Sequence, residues 1–144
     1  MRDFVITTDS TVDLPKEWLE EHRVPTLRLA YTIDGETYPD MEGLSKKEFF
    51  DRIRNGSLPT TSQVTPGQAR ELFESIIKEG KDIIHIGFSS GLSGSCGSEQ
   101  IAAQQLFGRI PGRTDHRYRF SLCLSGRGTS SLLCLKASER GKEL

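Results

Sequence analysis

Cysteine is scarce in this sequence. Cys96, Cys123 and Cys134 are an odd number with no metal-ligand spacing, which argues for reduced thiols in a cytoplasm and against a disulfide framework. His22, His85 and His116 are scattered and form no zinc pattern. Charge of one sign is missing as well. The 19 basic and 20 acidic residues leave a net charge of -1, so nothing points to a nucleic acid or an anionic membrane surface as partner. No apolar run approaches the roughly 20 residues needed to span a bilayer. The opening MRDFVITTDS enters a strand-like run at once, without a signal-peptide hydrophobic region. G-x-x-x-x-G-K-[ST] and G-x-G-x-x-G are both absent, which leaves nucleotide binding without specific support. Hydrophobic residues make up 35%, and mean hydropathy is -0.44. A chain of 144 residues is one domain in size and buries a core without staples. The lean apolar content leaves room for a missing partner domain.

The patterning predicts alternating strands and helices. Asp3–Thr8 is a β-branched apolar run, a buried strand. Residues 15–22 read as a short helix with Pro15 at its first position and Asp13 as cap. Val24–Ile33 is a second strand, turned at Asp34-Gly35 into a short return strand over Glu36–Tyr38. Ser45-Lys46-Lys47-Glu48 is a capping box that opens a helix to about Arg54, ended by Asn55-Gly56. Leu58–Gln63 is a loop. A helix starts at Thr65-Pro66, with Ala69, Leu72, Phe73, Ile76 and Ile77 in one apolar stripe and Gly80 after its end. Asp82–Phe88 is a continuous apolar strand. Ser89–Gly94 is the loop after it, followed by a helix to about Phe107. Residues 109–129 form an atypical, arginine- and glycine-rich connector that contains a short strand over 119–124, and 130–140 is a last helix. This alternation gives an α/β fold: a mainly parallel sheet flanked by helices, in three layers.

In such sheets ligands sit outside the carboxyl ends of strands. Two hydroxyl-rich loops stand there, at Thr7–Thr11 and Ser89–Gly94, and Thr60–Gln63 supplies further hydroxyls. A helix beginning after Ser93-Gly94 offers unpaired N–H groups and a partial positive charge to an anion. Ser and Thr add donors without formal charge. Thr61, Ser62, Ser93 and Gly94 are the candidate contacts, joined by Leu92 and Ser10. The same residues also suit plain capping and turn chemistry, with Ser93 as an N-cap. Asp9 orients Ser10 or caps a helix, and capping is the favoured role. His85, inside a buried strand, reads as a hydrogen-bonded core histidine. An enzymatic alternative exists. Gly87-Phe88-Ser89-Ser90-Gly91 matches G-x-S-x-G, so Ser89 is a candidate esterase nucleophile. Asp115 and His116 are sequence neighbours, whereas a triad needs them on separate loops.

Four segments taken together resemble the DegV family. Ile6–Pro15 resembles its opening signature. Val24-Pro25 with Asp34–Asp40 resembles its V-P-L strand and D-G-x-x-Y-x-D hairpin. Pro59–Gly67 resembles P-x-T-S-Q-P-S-P-G, and Ser89–Gly94 is identical to S-S-x-L-S-G. The resemblance implies the N-terminal domain of a two-domain α/β lipid-binding protein. It implies one long-chain fatty acid as ligand, no cofactor, no catalysis by the chain itself, and presentation of the acid to a kinase subunit that makes an acyl phosphate. The family's carboxylate-binding hydroxyls fall on Thr61 and Ser93, with Ser62 and the Gly94 backbone beside them.

The sequence also departs from that family. The resemblance implies a second domain that closes the acyl tunnel, and this sequence is expected to lack it. That absence predicts weakened binding, self-association through the exposed domain face, or a truncated fragment that binds nothing. The family's T-Y-x-S-A helix start reads Ser95-Cys96-Gly97-Ser98-Glu99 here, and its V-x-D-S strand end has become 121–126. A shifted reading frame would produce the composition that follows.

Overall fold

The computed structural model describes residues 3–107 and 120–125. The expected connector and the last helix lie mostly or wholly outside these residues, as do Asp115, His116 and Cys134. Four strands form a parallel sheet: β1 (Phe4–Asp9), β2 (Thr26–Leu27), β6 (Asp82–Phe88) and β7 (Phe120–Ser125), in the order β2-β1-β6-β7. Side chains alternate across a strand, and the two faces bury different partners. Ile6 and Ile86 meet Leu14, Trp18 and Val24 around α1 (Lys16–Glu21). Ile83 meets Ala69, Phe73 and Ile76 of α3 (Pro66–Lys78) and Ala102 of α4 (Ser95–Phe107). The result is the expected three-layer α/β arrangement.

The helix signals hold with two changes. Thr65 and Gln68 make a reciprocal capping box on α3, and Gly80, past its end, takes φ +81. On α2 (Lys46–Arg54) only half of the expected box forms. Ser45 accepts the Glu48 N–H, while the Glu48 carboxylate reaches forward to Arg52 instead. Pro15 precedes α1 as its N-cap, not as its first residue, and no side chain caps that end. Asp13 therefore does not have the role expected of it.

The single strand expected over Val24–Ile33 is two. After β2 the chain leaves the parallel sheet: the Leu29 N–H donates to Ser10 Oγ (3.1 Å), and the Leu29 carbonyl accepts from Asp40 N (2.9 Å). β3 (Ala30–Ile33) then joins β4 (Glu36–Pro39) and β5 (Thr60–Ser62) in a second, antiparallel sheet of order β4-β3-β5. β5 lies in the expected Leu58–Gln63 loop and pairs Thr61 with Tyr31 and Ser62 with Ala30. The turn between β3 and β4 is as expected, with Asp34 (φ 54) and Gly35 (φ 83) both left-handed, the geometry a two-residue hairpin needs.

Tyr31 organises this small sheet. It packs against Tyr38 and the edge of Phe49, and its hydroxyl accepts the Leu44 N–H at 2.8 Å. Gly43 lies so close that an added Cβ would stand 2.2 Å from that hydroxyl and 2.7 Å from Tyr38 Cβ. Gly43→Ala is therefore expected to destabilise the protein by about 1–3 kcal/mol through overpacking. Urea unfolding measures it, and an unchanged midpoint would show that the contact is not tight.

Candidate functional site

The strand order places a topological switch point between β1 and β6. From β1 the chain moves outward to β2, then returns to the far side of β1 as β6. Loops leaving such neighbours in opposite directions open a crevice at their carboxyl ends. Both hydroxyl-rich loops emerge at this place.

Asp9 ties the two strand ends together. Its Oδ1 accepts the Thr11 N–H (3.0 Å) and the Thr11 hydroxyl, and its Oδ2 accepts the Phe88 N–H at 2.8 Å. The carboxylate is buried. Asp9 therefore neither caps a helix nor orients Ser10, the two roles expected of it; it clamps β1 to β6. The Ser10 hydroxyl, also buried, accepts the Leu29 N–H. It sits at the root of the crevice, on the side toward β2.

Beyond Phe88 the loop folds back on Ser89. The Ser89 carbonyl accepts from Leu92 N and Ser93 N, and its hydroxyl accepts from Gly91 N at 3.4 Å. Ser93 Oγ then accepts the Ser95 N–H (3.2 Å) and donates to Ser95 Oγ (3.1 Å), so capping chemistry is present at this residue. Ser95 Oγ in turn accepts the Val64 N–H at 3.2 Å. This bond fastens the start of α4 to the segment after β5. Gln63 adds a second fastening: its Nε2 donates to Ser98 Oγ at 3.3 Å, and a Cβ on Gly94 would meet its Oε1 at 1.9 Å. Glycine at 94 is what lets the two segments approach this closely.

These contacts bring the Thr60–Gln63 and Ser89–Gly94 segments side by side. The pleat then sorts the hydroxyls. Neighbouring residues of a strand face opposite sides, so Thr61 shares a face with Tyr31 and Tyr38, and Ser62 shares one with Ala30 and Pro39. Continued by two residues, the alternation puts Gln63 on the side of Thr61, and Gln63 is the residue that meets Gly94. Thr61 and Ser62 thus lie on opposite faces of β5, and a separate cleft of about 370 Å³ lies beside β2, β3 and β4. That cleft is lined by Leu27, Arg28, Leu29, Ala30, Pro39 and Leu72, among others. Leu92 stands beside Ser93 with 69% of its surface exposed.

The esterase geometry does not assemble among the described residues. His85 is sealed in the core, 2.8 Å from Thr7 Oγ1 through its Nδ1, a hydrogen-bonded core histidine as expected. His22 stacks on Trp18 and bonds the Trp18 carbonyl. The helix opens at Ser95, not directly after Ser89. Cys96, a free thiol, is buried, and burial pushes its pKa up, with the charges of Glu99 and Asp9 adding to the effect. No group of three or more potential metal ligands gathers among the described residues. No described helix is long and apolar enough to cross a membrane.

Gln63, Ser95 and Glu99 were not singled out as site residues from the sequence. Glu99 is fully buried with His85, and it does carry a readable signal. It falls between Cys96 and Ala102-Ala103 on the buried stripe of α4.

Comparison with known proteins agrees with this architecture. A DegV domain-containing protein of Clostridium perfringens is 39% identical over 113 residues, 77% of this chain and 39% of that protein. A DegV domain-containing 15.5 kDa protein of Staphylococcus aureus is 38% identical over 106 residues, 74% of this chain and 76% of that protein. Among solved structures, a fatty-acid-binding DegV family protein from Thermus thermophilus superimposes with a TM-score of 0.82 at 28% identity, over 100% of this chain and 50% of that one. DegV of Bacillus subtilis, a fatty acid binding protein, gives 0.75 at 26% identity, over 98% and 49%. The chain thus spans about half the length of these solved structures and two fifths of the clostridial relative. The DegV family model matches residues 3–121, and the chain belongs to the DegV family.

Proposed function

We propose that this chain holds a long-chain fatty acid by its carboxylate, with the hydroxyls of Thr61 and Ser93 and the backbone at Gly94 as donors. The observation that supports the reading is the Gln63–Gly94 approach, which brings the segment that carries Thr61 close to the loop that carries Ser93. Serine and threonine suit this task because they bind an anion without forming a permanent ion pair. Ser93 already donates to Ser95 Oγ, and a carboxylate would take over that proton. Exposed Leu92 gives the first methylenes an apolar contact. Ser62, on the other face of β5 from Thr61, and Ser10, whose hydroxyl accepts the Leu29 N–H, are secondary contacts on this reading.

On this reading the chain is a carrier and not an enzyme. It acts in the cytoplasm and presents the acid to a kinase subunit that makes the acyl phosphate. Each methylene buried stabilises the complex by about 0.8 kcal/mol. Mass spectrometry of the denatured, purified protein is expected to release a fatty acid. Thr61→Ala and Ser93→Ala should each weaken oleate binding about tenfold, the loss of one charge-assisted hydrogen bond. Ser89→Ala should not. Wild-type protein that takes up no oleate in titration would overturn the proposal.

A further inference from the structure

Beneath the hydroxyl loop lies a polar cluster that the head-group reading does not use. His85 on β6 and Glu99 on α4 are both completely buried, and His85 Nε2 stands 3.2 Å from Glu99 Oε2. That contact lacks hydrogen-bond alignment, and neither Glu99 oxygen has a hydrogen-bond partner among the described residues. On its other side, His85 Nδ1 is 2.8 Å from Thr7 Oγ1 of β1. The ring of Phe73 on α3 packs edge-on against the imidazole. Gly87 completes the chamber: a Cβ there would lie 2.5 Å from Glu99 Oε2 and 3.3 Å from His85 Nε2. The nearby ionisable groups among the described residues are the Cys96 thiol and the Asp9 carboxylate, the latter fully engaged by Thr11 and Phe88. On β7, the positions in register with His85, Ile86 and Gly87 are Leu122, Cys123 and Leu124.

A fully buried carboxylate beside a single imidazole is costly, and it persists only where its surroundings hold it. Its location is informative. β6 leads into the Ser89–Gly94 loop and α4 leads out of it, so a contact between His85 and Glu99 closes that loop at its base. We propose that His85 and Glu99 are positioning residues for this loop: the pair seats the first turns of α4 on β6 and so sets where Ser93 and Gly94 stand. On this proposal the relay has one polarity: Nδ1 accepts from the Thr7 hydroxyl, 2.8 Å away, and the imidazole hydrogen sits on Nε2, on the side of Glu99. The inference rests on the loop being the head-group site, but part of its test does not.

The test compares Glu99→Ala and Glu99→Gln with the wild type by amide NMR, imidazole ¹⁵N NMR and oleate titration. A glutamine Oε1 can replace the carboxylate oxygen opposite Nε2–H, whereas alanine leaves nothing there. Glu99→Ala is expected to shift the Ser93–Ser98 amides, relax the His85 tautomer and weaken oleate binding about tenfold, the penalty of a misplaced contact. Glu99→Gln is expected to restore the wild-type amide pattern, the Nε2-protonated tautomer and the affinity. If alanine leaves both the amides and the affinity unchanged, or if glutamine fails to rescue, the proposal is overturned. If the wild type itself binds no oleate, the head-group reading fails, and positioning is then judged on the amide and tautomer spectra alone.

Discussion

Replacing His85 with alanine is expected to cost about 3–5 kcal/mol of stability, while Glu99→Ala leaves stability nearly unchanged. The asymmetry follows from what each deletion strands. Without the imidazole, the buried Glu99 side chain loses its one polar neighbour, 3.2 Å away, beside a cavity where the ring was, and Thr7 Oγ1 loses its partner. Without the carboxylate, His85 remains, still bonded to Thr7 and still packed on Phe73. The small cavity left by Glu99→Ala is offset by the removal of two buried oxygens that have no hydrogen-bond partner among the described residues. A double variant should therefore be more stable than His85→Ala alone, and the mutant cycle measures that coupling directly. In thermal unfolding, the His85→Ala loss amounts to a shift on the order of 10 °C. Equal losses in the two single variants would show that the pair behaves as an ordinary core contact and not as a buried polar group with one neighbour.

The fold was legible in the sequence where the signal was local, and not where a distant partner decided. Asp82–Phe88 was legible to the residue because a continuous run of apolar and β-branched residues suits a central parallel strand. The α3 stripe was legible because its period and its capping box agree. Val24–Ile33 was not, because nothing in its own pattern marks the break after Leu27. The break is made by Ser10 and Asp40, which take the backbone of Leu29 from other parts of the chain. Thr60–Ser62 read as a loop since Pro59 precedes three small polar residues. It becomes a strand because the free edge of β3 offers it a register.

The site was legible as a composition and less so as an arrangement. Hydroxyls at the ends of two strands announced a crevice, but they did not show that Thr61 and Ser62 lie on opposite faces of one strand; that follows from the pairing with β3. Nor did they show that Gln63 and Ser95 join the segments. Glu99 illustrates a different limit. Its place on the buried stripe of α4 is periodic and readable, yet a glutamate there is discounted unless a partner is in view, and His85 lies on another element.

Asp9→Ala is the second large effect expected, a loss of roughly 3–5 kcal/mol, and it connects stability to the site. The Asp9 carboxylate accepts hydrogen bonds from Thr11 N, the Thr11 hydroxyl and Phe88 N. Hydrogen bonds to a charged group contribute about 1.5–3 kcal/mol each, and a stranded buried N–H adds a penalty of its own. Alanine removes all three bonds and leaves the Phe88 N–H without its acceptor where β6 turns into the head-group loop. The Asp9→Asn variant keeps the shape but turns an NH₂ toward one of the two backbone donors, so its loss should be intermediate. The clamp is also the floor of the crevice. Releasing it should speed hydrogen exchange at Phe88 and Thr11 before the sheet as a whole opens, because strand ends open at lower free energy than the core. Urea unfolding gives the stability change, and exchange at those two amides gives its location. Asp9→Ala protein with wild-type stability, or with exchange raised evenly along β1 and β6, would mean that the carboxylate does not hold the strand ends together.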